Sequence, residues 1–367
     1  MSILINIASF ILLIGILVFI HELGHFLAAK SIGLRVEKFY IGFNLFGLGL
    51  KKKYKDTEYG IGLFPLGGYV KVAGILDESL DVENTKKNDY EFRSKNTFQK
   101  IWFLSAGVLM NFILSSVIFT FFIFSDGYPK PIDIPIINEV NKEILVDGDE
   151  ILSPAYQLGF KKGDEILSIN NYNINTWNDI SNIIRDNPNQ EINITWERDQ
   201  EVFNSIIIPL SVKQFVEGEI VNIGIIGVGQ NYNMIYPSFF KSIFKGFEQT
   251  LKILREIGYS LKALFTGSVS MENFFGPLYL VKIAGDAAQT GMKSLFFLTA
   301  MISVNLGLLN ILPIPGLDGG HVFIALIEGL IRRELPIKVK YAIQFSGFII
   351  IMSLFVLVLY NDINHLM

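Results

Sequence analysis

The sequence predicts a polytopic α-helical membrane protein with about four transmembrane helices, one inserted α+β domain and a membrane-associated β element. Three observations carry this. Half of the 367 residues are hydrophobic and only 18% are charged, against about 25% in an ordinary soluble domain. Four stretches lack any charged side chain: Ser2–Ile20, Ile101–Ser125, Ser294–Leu317 and Tyr341–Asn361. Each is near the ~20 apolar residues that cross a ~30 Å hydrocarbon core. Between the second and third of them the pattern changes to short β-branched runs in an acidic setting. The same composition excludes disorder, which needs low hydrophobicity and high charge. A net charge of −4 gives no basic footprint for nucleic acid. The absence of Cys excludes a disulfide scaffold, a thiol nucleophile and a Cys-ligated metal.

Taken in order, the first apolar stretch has no Lys or Arg before it, which argues against a cleaved signal peptide. Phe26–Lys100 holds 13 Lys/Arg against 9 Asp/Glu. Within it, Gly60–Val72 reads as strand, with Gly62, Leu63, Phe64, Leu66 and Tyr69 apolar enough to lie on the membrane. Asp126–Ile235 holds 7 Lys/Arg against 17 Asp/Glu. Its runs Ile134–Val140, Glu165–Ile169, Glu191–Trp196 and Val202–Leu210 read as strands, with a helical stretch at Trp177–Arg185 and a turn at Asn170-Asn171. From Phe239 to Leu254, apolar residues recur at helical spacing between Lys, Glu and Arg, the pattern of an amphipathic helix on the membrane or bracing the bundle. A fifth span over 257–275 is disfavoured by Lys262, Glu272 and the breaks at Gly267, Gly276 and Pro277. Arg332, Arg333, Lys338 and Lys340 crowd the last connection. The positive-inside rule then places the first and third connections in the cytoplasm, and the middle segment and both termini outside. The resulting organisation is 1–125, 126–235 and 236–367.

The chemistry is concentrated in His21-Glu22-Leu23-Gly24-His25, directly after the first apolar run. On a helix, His21 and His25 lie one turn apart on one face. Two neutral imidazoles at that spacing bind one Zn²⁺, and Glu22 between them suits a general base acting on water. Ionisable groups at membrane depth are functional by default. Zinc in a catalytic site needs a third protein ligand. The distant candidate is Asp318, in Asn310-Ile-Leu-Pro-Ile-Pro-Gly-Leu-Asp318-Gly-Gly-His321. Pro313 and Pro315 end the helix just before that carboxylate. Read from the residues alone, Asp318 is equally a solvated turn residue, because turns favour Asp. His321 is a rival ligand, and His365 reads as an ordinary terminal residue. With Met1 outside, about 20 helical residues bring His21 to the cytoplasmic side. Asp318 reaches the same depth ahead of Arg332 and Arg333.

Together the two motifs resemble the signatures of the site-2 protease family of intramembrane zinc metalloproteases, in its bacterial RseP-like form. The likeness extends through Phe64-Pro-Leu-Gly-Gly-Tyr-Val-Lys71, Phe275-Gly-Pro277 and Asn305-Leu-Gly-Leu-Leu-Asn310, nearly the whole chain. The resemblance implies that His21, His25 and Asp318 hold zinc and that Glu22 is the catalytic acid/base. It implies a substrate-binding role for Asn310 and, more weakly, Asn305; helix–helix hydrogen bonding is the competing reading for both. It also assigns the region of Gly67, Gly68, Tyr69 and Val70 to a membrane-associated β element near the active site; the further expectation is that its edge pairs with the unwound substrate, against a hairpin that only stabilises the first loop. Two departures stand out: Ser105-Ala-Gly-Val108 lacks the proline common in the family, and Leu158–Asn170 resembles the middle of a single PDZ domain where RseP-like enzymes can carry two. Val140–Ser153 is longer than the usual peptide-binding loop, so peptide capture and size filtering both remain open for this domain.

The expected reaction is zinc-assisted hydrolysis of a peptide bond in or near the transmembrane segment of a single-span protein in the bacterial inner membrane. The family's substrates include anti-sigma factors and remnant signal peptides, whose outer domain an upstream site-1-type protease trims first. The rivals are a catalytically silent scaffold binding outer peptides through the PDZ-like domain, and a transporter, against which stands the lack of an inverted repeat.

Overall fold

The computed structural model describes residues 2–44, 49–74, 88–146, 149–269 and 276–366. Phe275, one residue of the family-like string above, lies outside them. Helix α1 (Ser2–Ser31) runs eleven residues past the uncharged stretch, through the His-Glu motif. Uncharged length therefore underestimates it: charged and imidazole side chains end an apolar run without ending a helix.

A four-stranded sheet follows, made of β1 (Val36–Phe43), β2 (Gly49–Tyr54), β3 (Thr57–Gly62) and β4 (Phe64–Val72) in the spatial order β2-β3-β1-β4. β1 pairs parallel with β3 and antiparallel with β4, so β4 is an edge. Val36 and Val72 pack with Ala29, Phe103, Leu104 and Ala325, which seats this sheet against α1 and the helices described next. Helix α2 (Thr97–Asp126) is the second candidate span.

The middle of the chain contributes a compact unit of 123–239 and 259–269. Its elements are β5 (Tyr128–Pro131), β6 (Glu139–Val140), β7 (Glu143–Val146), β8 (Asp149–Leu152), α3 (Pro154–Leu158), β9 (Glu165–Ile169), β10 (Tyr172–Asn173), α4 (Trp177–Asp186), β11 (Ile192–Arg198), β12 (Glu201–Ile207), β13 (Leu210–Val216), β14 (Glu219–Ile225), β15 (Val228–Gly229) and β16 (Tyr232–Ile235). Strands β10-β9-β11-β12 form one antiparallel sheet, against which Trp177, Ile180 and Ile184 of α4 pack in a core with Ile166, Ile169, Ile192 and Ile194. A capping box starts α4: Thr176 Oγ1 accepts from the Asp179 amide, and Asp179 accepts from the Thr176 amide. Arg198 holds Asp164 bidentately at 2.6 and 2.7 Å. The expected strand over 134–140 shrinks to Glu139–Val140 plus a single bridge from Ile136 to Glu165. The run 202–210 divides at Pro209, which lacks a ladder N–H, and resumes in β13.

Helix α5 (Phe239–Thr266) carries the expected amphipathic stripe. Its Phe240, Phe244 and Phe247 are exposed, as a face on the membrane would be, while Ser242, Thr250 and Ile253 are buried. Ser116 on α2 donates to Thr250 at 3.0 Å, and Ile253 packs with Phe119, Ala300 and Val304, so this face braces the bundle. The helix ends at Gly267 in a left-handed cap and is not among the candidate spans. Helix α6 (Pro277–Thr290), which periodicity did not predict, packs against α1. Its N-terminus is capped from 83 to 86 residues away, where the buried Asp362 carboxylate accepts from the amides of Gly276, Leu278 and Tyr279.

Helix α7 (Met292–Ile311) stops six residues before the expected end at Leu317, because Pro313 and Pro315 cannot continue it. Helix α8 (Asp318–Ile331) then starts on the candidate ligand. Helix α9 (Ile337–Leu366) completes four candidate membrane spans among the described residues: Ile3–Ser31, Thr97–Asp126, Met292–Ile311 and Ile337–Asn364. The architecture is that of a polytopic membrane protein.

Candidate metal centre and active site

Helix α1 delivers both histidines on one face, with ring centroids 4.9 Å apart and Nε2 atoms 3.3 Å apart. The proline turn after α7 brings Asp318, almost 300 residues later, to the same point. Its Oδ2 lies 3.1 Å from His21 Nε2 and 3.4 Å from His25 Nε2. Among the described residues, His21, His25 and Asp318 form the one group of three or more ligating side chains close enough to share an ion. His321, the rival ligand, lines the adjoining cavity but is not in that group. The side chain of His365 lies outside what the structure describes.

Three features test whether a zinc ion fits. Zinc–nitrogen and zinc–oxygen bonds of about 2.0–2.2 Å put neighbouring ligands of a tetrahedron about 3.3–3.6 Å apart; the three separations are 3.1, 3.3 and 3.4 Å, two within that spacing and one just under it. Asp318 Oδ2 is buried with no hydrogen-bond partner among the described residues, a costly state for a carboxylate unless a cation takes it up. Helix α2 also keeps the space clear. A Cβ at Gly107 would strike His25 Nε2 and come within 2.7 and 2.8 Å of His21 Cε1 and Nε2. The donor set and the cradle both fit the metal.

The imidazoles are held from behind by α2. The Phe103 carbonyl accepts from His25 Nδ1 at 2.9 Å, which leaves Nε2 with its lone pair facing Asp318. Asn111, fully buried on the same helix, sits 3.1 Å from His21 Nδ1. Neither Gly107 nor Asn111 is singled out by the sequence reading. The available signal was a lone amide in an uncharged span, one turn after a glycine.

A cavity of about 350 Å³ opens beside this cluster. Glu22, His25, Asp318 and His321 line one part of it; Gly68, Tyr69 and Val70 of β4 line another. Glu22 is buried, and β4 passes directly over it: a Cβ at Gly68 would meet Glu22 Cγ at 2.9 Å and the Tyr40 carbonyl at 2.6 Å. Gly67 is not a lining residue. It sits at φ +123° against the Phe43 ring, where the β1–β4 register shifts. Tyr69 stacks on Tyr40 at 5.1 Å, and the Tyr40 hydroxyl donates to Glu58 at 2.6 Å. Burial, with that bond, pushes the Tyr40 hydroxyl up to about 12. At the far end of the cavity, Lys340 pairs with Glu328 at 2.6 Å.

Asn305 and Asn310 are not brought to this cavity. Asn305 is exposed and Asn310 half-buried, neither with a side-chain hydrogen bond among the described residues. Five residues separate them, about 140° round a helix, so they face different ways.

The model of peptidase family M50 matches residues 9–354. The chain is 32% identical to a Clostridium perfringens protein over 95% of each chain. It is 31% identical to the zinc metalloprotease RasP of Geobacillus kaustophilus over 98% of each chain. With RasP of Bacillus licheniformis it shares 29% identity over 98% of this chain and 99% of the relative.

Proposed function

This chain belongs to peptidase family M50 as a site-2-type zinc metalloendopeptidase, and we propose that it cuts single-span membrane proteins in or near their transmembrane segment. The observation that carries the reading is the convergence of His21, His25 and Asp318 beside a cavity bordered by Glu22 and the edge strand β4. It is a bacterial membrane protein, and the Lys/Arg distribution supports an inner-membrane orientation with the metal cluster toward the cytoplasm and both termini outside.

His21, His25 and Asp318 hold the zinc. Bound there, zinc supplies the Lewis acidity that lets water attack a carbonyl near neutral pH. Glu22 takes one proton from the attacking water and passes it to the leaving amine as the C–N bond breaks, so one side chain serves as base and then acid. The substrate helix must first open, because a transmembrane helix satisfies its own backbone groups. β4 has no strand partner on its outer side among the described residues. Its Gly68–Val70 segment offers backbone groups to an extended substrate as a fifth strand, held next to Glu22. The amides of Asn305 and Asn310, without side-chain partners among the described residues, are candidates to receive further substrate backbone groups. The acidic β-rich unit around α4 reads as a PDZ-like domain that excludes substrates whose outer part has not been trimmed by an earlier protease, as in regulated intramembrane proteolysis of anti-sigma factors or remnant signal peptides.

The test is cleavage of a tagged single-span substrate by the purified chain in detergent. Glu22→Gln should lower the rate about 10²–10⁴-fold, and a chelator should abolish native cleavage. Equal cleavage by both chains would reject the reading.

A further inference from the structure

We propose that Asn111 is a positioning residue for the metal centre: its side-chain oxygen accepts the Nδ1 proton of His21 and so fixes the tautomer that presents Nε2 to zinc. This deepens the zinc-site reading above and rests on it. The Asn111 side chain is fully buried in α2, with its amide nitrogen 3.1 Å from His21 Nδ1. In that orientation the amide nitrogen donates to Nδ1. The neutral ring then carries its proton on Nε2, pointing at Asp318 and His25 Nε2, where a lone pair is required. The same orientation leaves Asn111 Oδ1 buried with no partner.

One rotation gives the oxygen a donor and corrects the tautomer, with the amide nitrogen taking the place that the oxygen held. The oxygen and nitrogen of an asparagine amide have nearly the same shape, and their assignment follows from the hydrogen-bond network. Turned by 180°, Oδ1 gains the His21 Nδ1–H as donor and Nε2 is left with its lone pair. His21 is then held as His25 already is, with Nδ1–H donating to an acceptor on α2. The Asn111 backbone is fixed independently, because Ser303 donates to its carbonyl at 2.8 Å. An aliphatic side chain at 111 would therefore remove the acceptor and leave the helix anchored.

The experiment is chelator competition for zinc on the full chain in detergent, comparing the native protein with Asn111→Leu and Asn111→Asp. Partners that orient ligating histidines are typically worth 10–100-fold in metal affinity. Asn111→Leu should bind zinc about 10–100-fold more weakly, and Asn111→Asp, which keeps an acceptor, should bind at least as tightly as the native chain. A folded Asn111→Leu with native affinity overturns the proposal, as does an Asn111→Asp as weak as Asn111→Leu. Should the leucine variant fail to fold, Asn111→Asp alone decides: zinc affinity at or above that of the native chain supports the assignment, and weaker affinity rejects it. Failure of the native chain to bind one zinc would instead count against the zinc site itself.

Discussion

The described residues form two four-stranded sheets built to opposite ends. In the β-rich unit, β10-β9-β11-β12 closes over its own core: Ile169, Ile192 and Ile194 are fully buried, and α4 covers the sheet with an indole and two isoleucines. In the β2-β3-β1-β4 sheet the arrangement is left open. All six residues of β2 are exposed, as are Ile61, Leu63 and Phe64. The first sheet is complete as a protein fold. The second has apolar positions that suit lipid and an edge strand lining the catalytic cavity. An edge left open in this way is what the proposed pairing of β4 with substrate requires.

Substitutions at matched positions would break or sharpen that contrast. Ile194→Ala removes a fully buried side chain and should cost the β-rich unit about 2–5 kcal/mol, read by hydrogen exchange in β11, with zinc content unchanged. Gly68→Ala adds one methyl between β4, Tyr40 and Glu22. A misplacement of about 1 Å near reacting groups costs on the order of 100-fold, so cleavage should fall by that amount while zinc stays bound. Proline at Tyr69 and at Val70, tested separately, should divide. Backbone N–H groups alternate along a strand, so one proline removes a donor from the outer edge and the other disrupts the pairing with β1. The outer-edge variant should lose about tenfold in cleavage, the worth of one backbone hydrogen bond, with β1–β4 exchange protection intact. Unchanged cleavage by both would remove β4 from substrate binding. Ile61→Ala, on an exposed position of β3, should change stability by less than about 0.5 kcal/mol. A larger loss would show that this sheet has a hidden partner face.

Legibility in the sequence followed the range of the interaction. The His21–His25 pair was readable because both residues share one regular helix, so spacing alone sets their geometry. The spans were readable from hydropathy, with ends misjudged where charged residues continue a helix, as in α1, or prolines stop one, as in α7. Asp318 needed a second motif, since nothing local in a proline–glycine turn distinguishes a ligand from a solvated carboxylate. Gly107 and Asn111 were not readable. Their role exists only because α2 crosses behind α1, a contact between residues roughly eighty to ninety positions apart. Helix α6 was missed for a related reason: its start is stabilised by Asp362, far along the chain, and not by a local cap.

That remote cap has a mechanical consequence. Three amide donors pin the C-terminal end of α9 to α6. Midway along, a Cβ at Gly347 would run into the Pro315 backbone, in the turn three residues before Asp318. Only 6% of the apolar window of α9 is buried in protein, so lipid surrounds most of its length. A span of 28 residues is about 42 Å long, more than the ~30 Å hydrocarbon thickness, and such a helix tilts to match the bilayer. Held by Asp362 near its C-terminus and packed at Gly347 against the turn before Asp318, α9 ties the start of α6 and the segment that carries Asp318 to one helix.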